Sequence, residues 1–120
     1  MASKISVEKI LTLSSMAQAD THYSSKVDFR GCAGNAALYI VSTAGSITIT
    51  QQCSYDGTNF FDPVNTSGTA SGTVATALTV TTGTYVGFSP VLAPHVRFKV
   101  VENNTAATIV TLVLMFRTEV

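Results

Sequence analysis

Hydrophobic and polar positions alternate most regularly in the last third of the chain, and the period is two. Over 95–101, Val96, Phe98 and Val100 share one parity and His95, Arg97 and Lys99 the other, which predicts a strand with one buried face. Over 108–116, Val110, Leu112, Leu114 and Phe116 fill one face, yet Ile109, Val113 and Met115 on the opposite face are apolar too. A strand with one face in water rarely shows this. The second face is therefore expected to be covered, and in a chain of 120 residues the expected cover is a second copy or a partner protein.

The same period recurs upstream. Residues 7–16 satisfy a helical spacing in part (Val7, Ile10, Leu11, Ser14), but Leu11 and Leu13 alternate with Thr12 and Ser14, which favours a strand. A polar connection over 16–23 follows. Over 25–30, Val27 and Phe29 are expected inward with Asp28 and Arg30 outward, before Gly31 and Gly34 interrupt the ladder.

An apolar strand over 38–41, a tight turn at Ala44-Gly45 and an alternating strand over 46–53 predict a hairpin. Asp56-Gly57 supplies the next turn, with residues tolerant of positive φ. A short aromatic strand over 59–62 ends at Pro63, which cannot donate to a ladder. The small-residue stretch 65–72 is expected to be a loop, mobile unless a neighbour holds it. Val74, Thr76, Leu78 and Val80 align on one face, Thr82-Gly83 turns the chain into a strand over 85–88, and 89–94 links to the closing strands.

The pattern gives about eight strands at spacings of roughly ten residues. It predicts an all-β fold: a single antiparallel β-sandwich over 1–120, jelly-roll-like, with 1–8 as a candidate extended N-terminal arm.

Composition changes this picture in one respect. Charged residues make up 12 % of the chain, against roughly a quarter in ordinary soluble domains, so hydroxyl and amide groups must supply the polar surface. With seven basic and seven acidic residues the formal net charge is zero, and little repulsion keeps copies apart. The basic residues are scattered, so no stripe for a phosphate backbone is expected and no nucleic-acid partner. Neither a signal-peptide pattern nor a membrane-spanning helix is expected, and a reducing cytosol is the expected place of synthesis.

Candidate chemistry is sparse. Cys32 and Cys53 belong to no metal or redox motif; Cys53 has the parity of Ile47 and Ile49 and reads as a small buried thiol, with a disulfide to Cys32 as the alternative. His22, near Asp20, and His95, after Pro94, carry no catalytic motif, so no enzyme and no cofactor are expected. Asp56 to Asp62 superficially resembles a calcium loop, but lacks further acidic ligands and reads as a turn capped by Asp and Asn; no metal is expected. The acceptor patterns at Asn65 and Asn103 mark surface loops. Tyr55, Phe60, Phe61, Tyr85 and Phe88 offer rings for a sugar platform or for the core.

The residues 47–63, containing Ser54-Tyr-Asp-Gly-Thr-Asn-Phe60, together with 74–88 and with Pro94-His-Val-Arg-Phe-Lys99, resemble small β-sandwich structural proteins of tailed bacteriophages. Those proteins share a hairpin of the form Ser-x-Asp-Gly-Thr-Asn-aromatic and a later strand of the form Pro-x-Val-Arg-Phe-Lys. The resemblance spans roughly 45–102, and Phe60 stands where Trp is usual. It implies a noncatalytic virion protein, foremost a capsid cement or decoration protein that forms trimers and clamps adjacent capsomers. Its implied partners are its own copies and the major capsid protein, with Ile109, Val113 and Met115 at the subunit interface and the loops 16–23 and 65–72 or the N-terminal arm gripping the shell. A neck, tail or baseplate ring subunit is the alternative. A carbohydrate-binding module using Phe60 and Tyr85 is an alternative of another class.

Overall fold

The computed structural model describes residues 3–105 and 108–119, with side chains described except at 3, 13–15, 43–44, 80–82, 108–109 and 119. Its strands are β1 (Ser3–Met16), β2 (Thr21–Tyr23), β3 (Val27–Asp28), β4 (Cys32–Ser54), β5 (Thr73–Phe88), β6 (His95–Glu102) and β7 (Thr108–Glu119). No helix occurs among the described residues, and every strand pairing is antiparallel.

Two long strands generate the architecture. The 23-residue β4 pairs with β7 over 36–42 and with β6 over 47–54, while β5 runs beside both halves. One layer is therefore β1-β7-β4-β5 and the other β2/β3-β6-β4-β5, with β4 and β5 passing through both. Dividing these two strands at their bends gives nine strand segments in two antiparallel sheets of a sandwich. The shortest dimension of the molecule, 23 Å, matches two sheets stacked about 10 Å apart plus outward side chains.

The expected inward positions are buried. Val96, Phe98 and Val100 of β6 and Val110, Leu112 and Leu114 of β7 are fully enclosed, with Phe116, Val27 and Phe29 nearly so. They join Leu38, Ile40, Ile47 and Ile49 of β4 in one core. Phe29 against Phe116 (ring centroids 4.8 Å apart) and Phe88 against Phe98 (5.9 Å, edge to face) connect parts of the chain that do not pair with each other.

Several turns expected from the sequence do not form. Ala44-Gly45 makes no hairpin: the chain continues as one strand, and the register shift between Ser42 and Ile47 changes the inward parity from even (Leu38, Ile40, Ser42) to odd (Ile47, Ile49). That shift lets β4 cross from one layer to the other while keeping apolar residues inside. Thr82-Gly83 likewise lies within β5. The alignment of Val74, Thr76, Leu78 and Val80 on one face is broken at Ala77, whose φ is +50°, so that Ala75 and Leu78 meet Ile49 and Ile47. The side chain of Val80 lies outside the described residues.

The segment 59–62 is not a strand but one bridge, Phe61 exchanging two hydrogen bonds with Cys53. Of the candidate arm 1–8, residues 3–8 pair with β7, and residues 1–2 lie outside the described residues. The loop 65–72 is tied internally, Asn65 Oδ1 accepting from Ser67 and Thr69 backbone N–H, and to β4, Gly72 C=O accepting from Gln51 N–H at 2.7 Å.

The two C-terminal strands do not pair with each other; β6 and β7 lie on opposite sides of β4. Glu102, at the end of β6, is 2 % exposed and continues the inward parity of Val96, Phe98 and Val100. Its carboxylate accepts from the Thr105 hydroxyl and from backbone N–H groups of Ala19, Ser46 and Thr105. Hydrogen bonds to Thr105, Ala19 and Ser46 outweigh burial and hold its pKa down at about 2.

Candidate functional site

The outward face of the β1-β7-β4-β5 layer is the principal candidate. Backbone register sets it: Val7 stands opposite Met115, Lys9 opposite Val113 and Ile5 opposite Arg117, while Met115 faces Ala37 and Val113 faces Tyr39 on the other side. Tyr39 in turn faces Tyr85, their rings 5.1 Å apart. Ile5 (69 %), Val7 (62 %) and Tyr85 (68 %) are exposed, and Val113 and Met115 are half-buried by their strand neighbours. The side chain of Ile109, expected on this face, lies outside the described residues.

The result is an apolar surface spread over strands β1, β7, β4 and β5, with Lys9 and Arg117 among its polar members. At one end it opens into a shallow groove of about 490 Å³ between Ile5, Ala37, Met115 and the irregular segment 33–36. No motif in the sequence links Ile5, Val7, Tyr39 and Tyr85 to Met115. The alternation Ile5, Val7, Lys9 is a local signal for their shared face, but their neighbours are set by register across strands distant in sequence.

The outward face of the other layer differs in character. Arg97 of β6 lies against the rings of Tyr23 and Phe60, with Cζ 4.2 Å and 4.6 Å from their centroids. Its Nε donates to Gln52 Oε1 (2.8 Å), Gln52 Nε2 donates to Asp62 Oδ1 (2.8 Å), and Lys99 Nζ pairs with Asp62 Oδ2 (2.9 Å). The hydrogen bonds from Lys99 and then Gln52 lower the Asp62 pKa. Phe60 thus belongs to this face and Tyr85 to the opposite one, so the two do not form a common sugar platform.

The remaining candidates engage in local structure. Asp56 accepts from Asn59 N–H, Thr58 N–H, the Ser54 hydroxyl and Asn59 Nδ2, which lower its pKa and close the turn around Gly57 (φ +77°). His22 contacts Asp20 (Nε2 to Oδ2, 3.1 Å), and the His95 ring lies beside Gly57. Neither histidine has a Ser, Thr or Cys hydrogen-bond partner among the described residues. Cys32 and Cys53 are free thiols, each with its pKa raised by burial. Among the described residues, no group of three or more His, Cys, Asp or Glu side chains is placed to hold a metal. Among the described residues, no helix is long and apolar enough to cross a membrane.

No family model matches the chain, and no curated protein matches it. Among solved structures, a chain in the structure of infectious bursal disease virus strain Gx is similar in fold, with a TM-score of 0.50 and 11 % identity. The match covers 98 % of this chain and 32 % of the viral one, so this chain spans about a third of that protein's length. At this identity the likeness is one of fold: an all-β arrangement shared along nearly the whole chain.

Proposed function

We propose that this protein is a noncatalytic structural subunit of a virion, most specifically a cement or decoration protein of a tailed bacteriophage head. In this role it self-associates, as a trimer, through the outward face of the β1-β7-β4-β5 layer and clamps neighbouring capsid subunits. The observation that carries the reading is the row Ile5, Val7, Met115, Val113, Ala37, Tyr39 and Tyr85, apolar or aromatic and open to the outside in a chain with no net charge. Contiguous apolar patches of this kind mark interaction surfaces, and a rotationally symmetric assembly buries the same patch in every copy. The fold shared with a chain of a virus structure and the hairpin and strand motifs of phage virion proteins support the setting.

Weak contacts suffice for such a subunit, because several made at once to a repeating shell act through effective concentration. The histidines and thiols have no part in the role. The separation of Phe60 from Tyr85 removes the combined platform on which a carbohydrate-binding reading depended.

Electron microscopy of particles labelled through this protein provides the test. Regular spacing over the head lattice is expected; label confined to the tail or neck would replace the cement role by a ring subunit. Light scattering of the purified protein should give a mass of several chains, and a stable monomer at high concentration would remove the apolar face as a self-association surface.

A further inference from the structure

The β6 face opposite the apolar layer holds a half-buried cation without a counter-charge. Among the described residues no carboxylate pairs with Arg97: Asp62 is taken by Lys99, Asp28 by Arg30 and Asp20 by His22, Asp56 bonds within its own turn, and Glu102 accepts from Thr105, Ala19 and Ser46. Its Nη groups have no acceptor there either, although Nε is engaged by Gln52 at 2.8 Å. Gln52, 7 % exposed, is itself anchored to Asp62, and the rings of Tyr23 and Phe60 lie against the guanidinium. The fork is thus oriented before any ligand arrives, and its remaining donors are unused.

We infer that Arg97 receives a carboxylate, the Asp or Glu side chain of a protein partner. A planar fork with Nη donors free matches a carboxylate through two parallel hydrogen bonds, a geometry lysine cannot reproduce. Because Gln52, Tyr23 and Phe60 already restrain the side chain, little further freedom is lost on binding. An arginine set among aromatic rings, with Tyr23 48 % exposed beside it, has the composition of a protein-interface anchor. A phosphate or nucleic-acid backbone fits less well: it asks for several free cations, whereas Lys99 is already paired with Asp62, 2.9 Å away. The inference goes beyond the assembly role proposed above and does not use the apolar face.

The test is a titration of the full chain followed by ¹H–¹⁵N spectra of arginine side chains and backbone, with the capped dipeptide acetyl-Glu-Glu-amide as probe. Sodium chloride at equal ionic strength, inorganic phosphate and galacturonate serve as comparators. Saturable shifts of Arg97 Nε–H and of the Gln52 and Tyr23 signals are expected with the peptide and not with chloride. Arg97→Gln should abolish them, and Arg97→Lys, which keeps the charge, should weaken binding about tenfold, the loss of one charge-assisted hydrogen bond. Signal dispersion elsewhere reports that both variants are folded.

Shifts identical with chloride, absence of saturation, or an Arg97→Lys variant that binds as well as the parent would overturn the inference. Phosphate or galacturonate binding tenfold better than the peptide would also overturn it, reassigning the fork to a phosphate or an acidic sugar. Light scattering on the same samples reports self-association separately, so failure here and failure of the assembly role are distinguishable.

Discussion

Val7 and Met115 face each other across β1 and β7 on the outside of the sandwich, while Leu114, the next residue along β7, is wholly enclosed. One step along a strand separates a candidate assembly contact from the core, and substitutions at the two positions should have opposite signatures. Val7→Lys and Met115→Lys should weaken self-association at least tenfold in a sedimentation series. Because Val7 is 62 % exposed, Val7→Lys should leave chain stability within about 0.5 kcal/mol. Self-association unchanged in both variants would count against this face.

Leu114→Ala should do the reverse. Removing a fully enclosed side chain from the centre of β7 costs about 2–5 kcal/mol through lost burial and the cavity left behind. Urea unfolding measured on samples held in one association state checks this; a loss under about 1 kcal/mol would mean that the site collapses around the smaller residue.

Glu102 makes stability depend on acid. Its pKa is about 2 when folded, below the ordinary 4.5, so the stabilisation is present above pH 4.5 and is lost as pH falls through about 2. The unfolded chain takes up the proton first, which is why stability falls in that window. Glu102→Gln should flatten the dependence of thermal midpoint on pH between about 4.5 and 2, and an unchanged profile would place the acid sensitivity elsewhere, with Asp56 and Asp28, whose carboxyls are also held low by hydrogen bonds, the next candidates.

Gly83 is constrained twice. Its φ is +90°, and a Cβ there would run into the Tyr39 ring, with Cζ at 2.7 Å. Gly83→Ala should destabilise by about 1–3 kcal/mol from backbone strain alone, with the ring contact adding to it. In a double-mutant cycle, Tyr39→Ala should remove the steric part and leave the backbone part. Strict additivity would show that the ring simply moves aside.

Much of this molecule can be read locally. The inward residues of β6 and β7, the placement of Val27 and Phe29 and the turn at Asp56-Gly57 all appear in the structure as their alternation and turn chemistry imply. Apolar residues on both faces of β7 likewise point to an unusual outer surface, to which Val113 and Met115 contribute. The rest of it is hidden in the sequence, because Ile5, Val7, Ala37, Tyr39 and Tyr85 join it only through pairing across strands. The Arg97 cluster was equally hidden: Tyr23, Gln52, Phe60 and Asp62 come from three separate stretches, and none carries a motif that names the others.

Which way each side chain points is a local property of an extended backbone, so alternation alone specified an all-β chain and its inward face. Where Ala44-Gly45 and Thr82-Gly83 looked like turns, the chain instead runs on through β4 and β5, because bulges can change parity without reversing direction and so carry one strand through both layers. That choice depends on neighbours: β6 and β7 must both find β4, and Glu102 must bind Ala19, Ser46 and Thr105 at the corner between them. Pairing partners are decided by total burial and hydrogen bonding in the folded chain, and only the tertiary structure could select them.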